Sequence, residues 1–459
     1  MSKIHFERFD KLLKFLPKSK IKAGDGLDSG KYPFFTSSAT LSKFIDTFNY
    51  EDESLIFGSG GNASIHYCNQ KFATSTDCFV VNQDSEDIDV KYVYYYLKSN
   101  IRLIEDGFKG AGLKHISKKY ISEIKIPLLP LEDQQKIAQQ LSQIEALINK
   151  REESIKLLDE LTKSTFLDML GDPVLNPKRF GTKTIEQLVK KERHAIKRGP
   201  FGGALKKEIF VEDGYLVYEQ FHALNNDFTM ARYFIGEEKF KELEGFEVKS
   251  GDIIISCSGV YLGKLAIVPP NARKGIINQA LLKVTLDETK MNNILFTHIF
   301  TNENFKNKYF GSSRGAGIPN FPPMSDFKKF EFIAPSKPLQ DKFAEIVTQI
   351  EQTKTIYQNS LIELNNLFGS IAQKAFKGEL NVSKIELIQK EQEEITMSIK
   401  LDGYRLLEEI KKGDFEASKY VNEHQNYDAI KDMIFKLIED GKISQKFDDN
   451  SKKIILEAE

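Results

Sequence analysis

The strongest constraint on this chain is that it repeats itself, so whatever unit the first half builds, the second half must build again. The stretch Pro130-Leu131-Glu132-Asp133-Gln134-Gln135-Lys136-Ile137-Ala138 has a counterpart in Pro338-Leu339-Gln340-Asp341-Lys342-Phe343-Ala344. With a two-residue gap after the Pro-Leu pair, Gln134, Ala138 and Gln143-Ile144-Glu145 align with Gln340, Ala344 and Gln349-Ile350-Glu351.

Each stretch opens a heptad pattern. Ile137, Leu141, Ile144, Ile148, Arg151, Ile155, Leu158, Thr162, Thr165 and Met169 follow one another at alternating spacings of four and three. Phe343, Val347, Ile350, Lys354, Tyr357, Leu361, Leu364, Phe368, Ile371 and Ala375 do the same. Such a seam is what a coiled-coil helix presents to one partner helix, and it predicts two long helices packed on each other. Pro130 and Pro338 are expected just before the helices, and Gly171 and Gly378 where they stop. Each helix would run about 55–60 Å at about 1.5 Å per residue.

The repeat extends upstream. Gly110-Ala111-Gly112-Leu113 is matched by Gly315-Ala316-Gly317-Ile318, and each leads through a polar turn to a short β-type run, 124–128 and 330–334. Ser59-Gly60 follows Leu55-Ile56-Phe57 as Ser258-Gly259 follows Asp252-Ile253-Ile254-Ile255. The runs 73–81 and 276–284 make a further pair of strands. The expected architecture is therefore an α/β (α+β) tandem repeat with a pseudo-twofold axis. Its parts are a globular domain at 1–129, a helix at 130–172, a second globular domain at 173–336 and a second helix at 337–380. Residues 381–459 fall outside the repeat; a charged helix at 384–412, an amphipathic helix at 427–440 and a hairpin from 442–447 and 453–456 predict a small helical, winged-helix-like extension.

Composition removes several classes of function. Lys and Arg total 65 against 66 Asp and Glu, so no global basic field attracts phosphates, and any nucleic-acid contact must come from local patches. Three cysteines, Cys68, Cys78 and Cys257, make neither a disulfide scaffold nor a zinc site, even with His66 beside Cys68. The N-terminus has no apolar core of a signal peptide, and no apolar run approaches the roughly 20 residues of a membrane span, so a cytoplasmic chain without membrane contact is expected. Gly263-Lys264 continues to Leu265 and Gly441-Lys442 to Ile443, which denies a P-loop. Asn320-Phe321-Pro322-Pro323 shares only composition with the active-site motif of amino-methyltransferases. In Gly199-Pro200-Phe201-Gly202-Gly203 the proline removes a backbone donor that a phosphate cradle would use. Glu123-Ile124-Lys125 and Glu247-Val248-Lys249 are half of a nuclease motif with no upstream Pro-Asp. Neither catalysis nor a metal site is expected of this chain.

Basic clusters recur beside the glycine-rich loops of both halves. Lys14, Lys18, Lys20 and Lys22 precede the first unit, and Lys109, Lys114, Lys118 and Lys119 surround its Gly-Ala-Gly loop. Lys190, Lys191, Arg193, Lys197, Arg198, Lys206 and Lys207 are dense in the second, where Arg314 precedes the equivalent loop. Lysine and arginine suit phosphates, while Arg, Asn, Gln and Ser suit base edges. The candidate DNA-binding residues are Ser59, Asn62, Lys109, Lys114, Arg198, Lys206, Ser258, Lys264, Asn278, Gln279, Arg314 and Asn320.

The run from Ile126 through Ile137, its counterpart from Ile333 through Lys342, Lys22-Ala23-Gly24, Gly30 through Phe35 and Gly199-Pro200-Phe201-Gly202 resemble type I restriction–modification specificity subunits over about residues 1–380. That resemblance implies two target-recognition domains, each reading half of a bipartite, gapped site in double-stranded DNA. It also implies that the two helices form an antiparallel coiled coil that sets the distance between the halves and docks two methyltransferase subunits. S-adenosylmethionine would then sit on those subunits, which methylate adenine, and ATP and Mg on restriction/translocase subunits, which move and cleave DNA; no cofactor is expected on this chain itself. A protein-binding coiled-coil scaffold and a self-contained DNA-modifying enzyme are the competing readings.

Overall fold

The computed structural model describes residues 5–110, 112–201, 203–311, 321–383, 385–387, 442–448 and 453–458, with a few single positions between 406 and 438. They gather into two compact units, residues 1–143 with 369–459, and residues 144–368. Both boundaries fall inside a long helix, so the units do not follow linear segments of the chain.

The first unit is built around an antiparallel sheet in the order Leu13–Phe15, Cys78–Gln83, Ser54–Gly58, Ile65–Cys68. Leu55, Ile56 and Phe57 are all buried, because their strand has a core on each face. Ile56 joins Phe35, Tyr50, Phe72 and Val80, while the Phe57 ring meets Phe9 at 5.8 Å. A second sheet orders Phe44–Ile45, Tyr32–Phe35 and Ala73–Thr74, the last two parallel. His5–Arg8 pairs with Lys125–Leu128, tying the start of the unit to the strand that enters the first long helix.

The second unit repeats this plan. Its antiparallel sheet runs Ile196–Arg198, Leu281–Val284, Ile253–Ser256, Leu265–Ile267. The registers correspond: Gly58 faces Cys78 as Ser256 faces Leu281, and Phe57 faces Ile65 as Ile255 faces Leu265. The run Ile253-Ile254-Ile255 now has a physical reason. Ile253 and Ile255 point into a core with Phe296, Phe300 and Phe332, and Ile254 into a separate core with Tyr218 and Val268. Tyr215–Tyr218 lies parallel to Gly275–Ile277, as Tyr32–Phe35 does to Ala73–Thr74. A Cβ at Gly275 would stand 2.0 Å from the Leu216 carbonyl oxygen, so only glycine permits this pairing. Thr182–Thr184 pairs with Glu331–Ile333 at the entrance to the second long helix. The chain is thus the expected tandem α/β repeat with long helices.

Those helices are Leu131–Leu170 and Lys337–Phe376, 40 residues each. Gly171 and Gly378 follow them with left-handed φ of 73° and 66°, as the stop signals required. Pro130 precedes its helix, but Pro338 lies inside the first turn of the second. A proline there is harmless, because the first-turn N–H groups have no intrahelical partner. None of the predicted seam residues is exposed. Within the second unit the two helices run antiparallel: Phe166 meets Phe343 at 5.7 Å, Asp159 pairs with Lys354, and Arg151 lies 4.1 Å over the Tyr357 ring. At the end of the first helix the deepest residues are Phe166 and Leu170 instead of Thr165 and Met169. The 3.6-residue turn drifts about 20° per heptad from a 3.5-residue seam, and here the helix faces a globular core, not a partner helix.

In the tail, Ile443–Asp448 and Lys453–Ala458 form the expected hairpin; the helices expected at 384–412 and 427–440 lie largely outside the described residues. Among the described residues no helix is long and apolar enough to cross a membrane.

Candidate nucleic-acid interface

Antiparallel pairing brings the loops of each main sheet together. In the first unit Gly58 faces Cys78, so the segment after Gly58 and the segment before Cys78 leave the sheet at one end. Residues 109–110 and 112–116 are fastened there: Gly61 N–H donates to the Lys114 carbonyl at 3.1 Å, Ile116 N–H to the Ser59 carbonyl at 3.1 Å, and Lys109 and His115 exchange two backbone bonds at 3.0 Å. A Cβ at Gly60 would stand 2.9 Å from the His115 ring, which explains the glycine. Ser59 is buried and its hydroxyl donates to the Asp77 carbonyl at 2.9 Å, so it holds the loop in place instead of facing solvent. Asn62, Lys109 and Lys114 are exposed, and the Leu113 side chain between them is 79% exposed. Lys18 and Lys118 stand 5.2 and 5.5 Å over the Phe79 ring, with Lys118 also 5.1 Å over Phe15.

The second unit gathers its loops at the corresponding end. Gly199 N–H donates to the Leu281 carbonyl and Cys257 N–H to the Ala280 carbonyl, both at 2.8 Å. A Cβ at Gly199 would lie 1.8 Å from the Asn278 carbonyl oxygen, so the first glycine of the Gly-Pro-Phe-Gly run serves close approach of backbone, not a phosphate cradle. Asn278 is half-buried and accepts the Ala280 N–H on Oδ1, closing its turn. Gln220 Nε2 donates to the Ser256 hydroxyl at 2.9 Å and to the half-buried Ser258 at its carbonyl and hydroxyl. Lys206, Lys264 and Gln279 are exposed. The Arg198 guanidinium lies 5.2 Å over the Phe201 ring, and its Nε is buried with no hydrogen-bond partner among the described residues. Val260, 86% exposed, and Tyr261 project from the same loop. Phe321 N–H donates to the Cys257 carbonyl at 2.9 Å, so the chain re-enters the unit at this loop. Arg314 and Asn320, in the preceding segment, lie outside the described residues.

One cation escaped the sequence reading. Lys306, on the helix Glu303–Phe310, packs beside Gly263. Burial, and then the like charge of Lys264, hold its ammonium below the usual lysine range. Neither lysine has an ion-pair partner among the described residues, and the same holds for Lys18, Lys114 and Lys118. Nothing in periodicity or spacing connects Lys306 with Lys264; only the fold does. Lys18 and Lys118 were noted as charge but not as stacked on aromatic rings, a pairing that is equally non-local.

Among the described residues, the reactive groups singled out in the sequence are held in structural surroundings. Burial pushes the Cys257 thiol up to about 12, far from a thiolate nucleophile. Glu247 is occupied by Lys249 and Lys274 at 3.9 and 3.6 Å. His66 bonds the Ser38 carbonyl, and among the described residues no group of three or more His, Cys, Asp or Glu could hold a metal ion. What the loops offer is charge, amides, a guanidinium and apolar tips on a hydrogen-bonded frame, which suits reading a polyanion with patterned edges.

Comparison with known proteins agrees. A family model described as "Type I restriction modification DNA specificity domain" matches residues 10–157. The type I restriction enzyme MjaVIII specificity subunit of Methanocaldococcus jannaschii is 24% identical over 302 residues, 60% of this chain and 69% of that protein. The EcoBI specificity subunit of Escherichia coli is 21% identical over 353 residues, 72% of this chain and 74% of that one. In fold, the chain is similar to the S subunit of a type I restriction–modification system from M. genitalium, with a TM-score of 0.58 and 17% identity over 82% of this chain and 97% of that one.

Proposed function

The chain belongs to the family of type I restriction–modification specificity subunits, and on that premise we propose that each of its units reads one half of a bipartite, gapped site in double-stranded DNA. The observation that carries this reading is the duplication of one loop-bearing sheet end, strand for strand and register for register, in two units that each open a long helix. The subunit recognises DNA and leaves the chemistry to others.

In each unit the lysines neutralise phosphates: Lys18 and Lys118 in the first, Lys264 and Lys306 in the second. Phosphate contacts orient a protein without conveying sequence, which falls to groups that reach base edges. Asn62, Lys114, Arg198 and Gln279 have the necessary donors and acceptors, with Arg314 and Asn320 on the adjoining segment. The Arg198 guanidinium, carried over the Phe201 ring at the loop end, has the planar fork that suits a base edge. Because the described loop residues are pinned by backbone bonds before DNA arrives, little ordering entropy is lost there on binding.

The long helices set the gap between half-sites. Leu147, Leu157, Leu161, Ile356 and Ile362 are exposed on them outside the seam, apolar surface that suits docking of two methyltransferase subunits. Those subunits would carry S-adenosylmethionine and methylate adenine, and restriction/translocase subunits would bring ATP and Mg. Sharing phosphate neutralisation with partners accounts for the formal charge of −1.

The test is a genome-wide map of methylated adenine with and without the gene. Loss of methylation at one gapped, two-part motif is the expected result. No loss at any motif, with the methyltransferase subunit present and active, would leave the scaffold reading in its place.

A further inference from the structure

Each long helix is joined to its unit by the same buried clasp. Gln134 and Gln340, in the first turns, are 0% and 1% exposed. Gln134 Oε1 accepts the Asp89 N–H at 3.0 Å, and its Nε2 donates to the carbonyls of Asp87 and Leu129 at 2.8 and 2.7 Å. Gln340 repeats the pattern: it accepts the Asn292 N–H at 2.8 Å and donates to the carbonyls of Lys290 and Pro335 at 3.1 and 2.9 Å. Every bond is to backbone. A planar amide with its acceptor on one side and both donors used on the other restrains rotation as well as position.

Asp89 and Asn292 are themselves the N-caps of two short helices, Val90–Ser99 and Asn293–Thr301. Each short helix also meets an aromatic ring from the far end of the other long helix. Phe376 packs edge-on against Tyr92 at 5.4 Å and Tyr96 at 5.2 Å, and Phe166 stacks on His298 at 6.3 Å. Within each unit one short helix therefore holds the start of one long helix by hydrogen bonds and the end of the other by ring contacts.

We propose that Gln134 and Gln340 are positioning residues that set the angle at which each long helix leaves its unit, and thereby the number of base pairs accepted between the half-sites. This rests on the bipartite-site reading above. The leverage is large. Over 40 residues, about 60 Å of helix, a tilt of about 3° displaces the far end by about 3.4 Å, the rise of one base pair. Polar bonds with sharp directionality hold such an angle better than apolar packing, which tolerates sliding.

The test uses the full chain in complex with its methyltransferase subunits, as wild type, Q134M, Q340M and the double variant. Duplexes carry both half-sites with the gap changed by one or two base pairs in each direction. Methylation rates are read on each, with amide hydrogen exchange at Asp89 and Asn292. In the double variant the preference for the native gap over a one-base-pair change is expected to fall at least tenfold. Half-site sequences stay the same and both amides exchange at least tenfold faster. If the amides exchange faster but the gap preference is unchanged, the clasp is structural only and the inference is overturned. Q134A and Q340A, which remove the clasp and leave room for water at the freed backbone groups, give the same readout where a methionine variant does not fold. A wild-type complex that shows no gapped site overturns the bipartite reading itself, an outcome distinct from a wild type with a sharp gap preference that the variants retain.

Discussion

Removing Lys264 and Lys306 together isolates the electrostatic part of recognition. Both ammonium groups flank one glycine turn, neither has an ion-pair partner among the described residues, and burial has already lowered the pKa of Lys306. Their replacement by alanine breaks no ion pair among the described residues, and the loss of the Lys264 contact with the Tyr261 ring and of the attraction of Glu303 for Lys306 is offset by relief of a like-charge contact, so the melting temperature should stay within about 2 °C. If each neutralises one phosphate, each contributes about 0.9 to the slope of log K against log salt. The double variant K264A/K306A should therefore lose about 1.8 from that slope, which at 0.15 M salt is about a 30-fold loss of affinity. The assay is fluorescence anisotropy of the assembled complex on a labelled duplex between 50 and 200 mM salt, repeated on a duplex with scrambled half-sites. Equal losses on both duplexes are expected, because phosphates carry no sequence. An unchanged slope would refute the placement of these lysines at the backbone. A loss confined to the cognate duplex would move them to base edges.

Other perturbations test the frame. Leu141→Ala, at a fully buried seam position, should cost about 2–5 kcal/mol in chemical denaturation, whereas Leu147→Ala, 53% exposed on the same helix, should leave stability near wild type and weaken co-purification of the methyltransferase subunits. His298 is held below the usual imidazole value by burial, next to the Phe166 and Phe343 rings. The unfolded state therefore binds the extra proton first, and stability that is complete above about pH 6.5 declines as pH falls through that value; H298F should flatten this dependence in denaturation curves at pH 5.5 and 7.5. Burial raises all three thiols, Cys78 to about 11 and Cys257 to about 12. Native protein at pH 8 should show almost no thiol reactive towards Ellman's reagent, and three should titrate once it is denatured.

Elements with a short period were legible in the residues. The heptad seam marked both long helices because burial on one helix face imposes a spacing of three and four whatever the surroundings. Leu55-Ile56-Phe57 and Ile253-Ile254-Ile255 declared themselves as strands with a core on each face. Where a local rule met a global one, the local rule slipped. The heptad count carried the seam to Thr165 and Met169, while the globular core took Phe166 and Leu170. Gly60 and Gly199 lie at the loop-bearing ends, yet Ser59 is buried with its hydroxyl on the Asp77 carbonyl, and Lys306 joins from a helix that no pattern ties to the loop.

Gln134 and Gln340 show the division most clearly. Their alignment is visible in the sequence, because duplication copies residues in order. Their partners, Asp89 and Asn292, lie more than forty positions upstream, and no periodicity links a helix's first turn to the cap of another helix. By itself, then, the sequence determined that there are two copies of one unit, two long helices and loops rich in glycine and lysine, since each of these is written in neighbouring residues. Which loops converge, which lysines lie without an ion-pair partner and which glutamine grips which amide were decided only by tertiary structure. Hydrogen bonds and charges act across a few ångströms of space, and the chain brings those groups together only by folding.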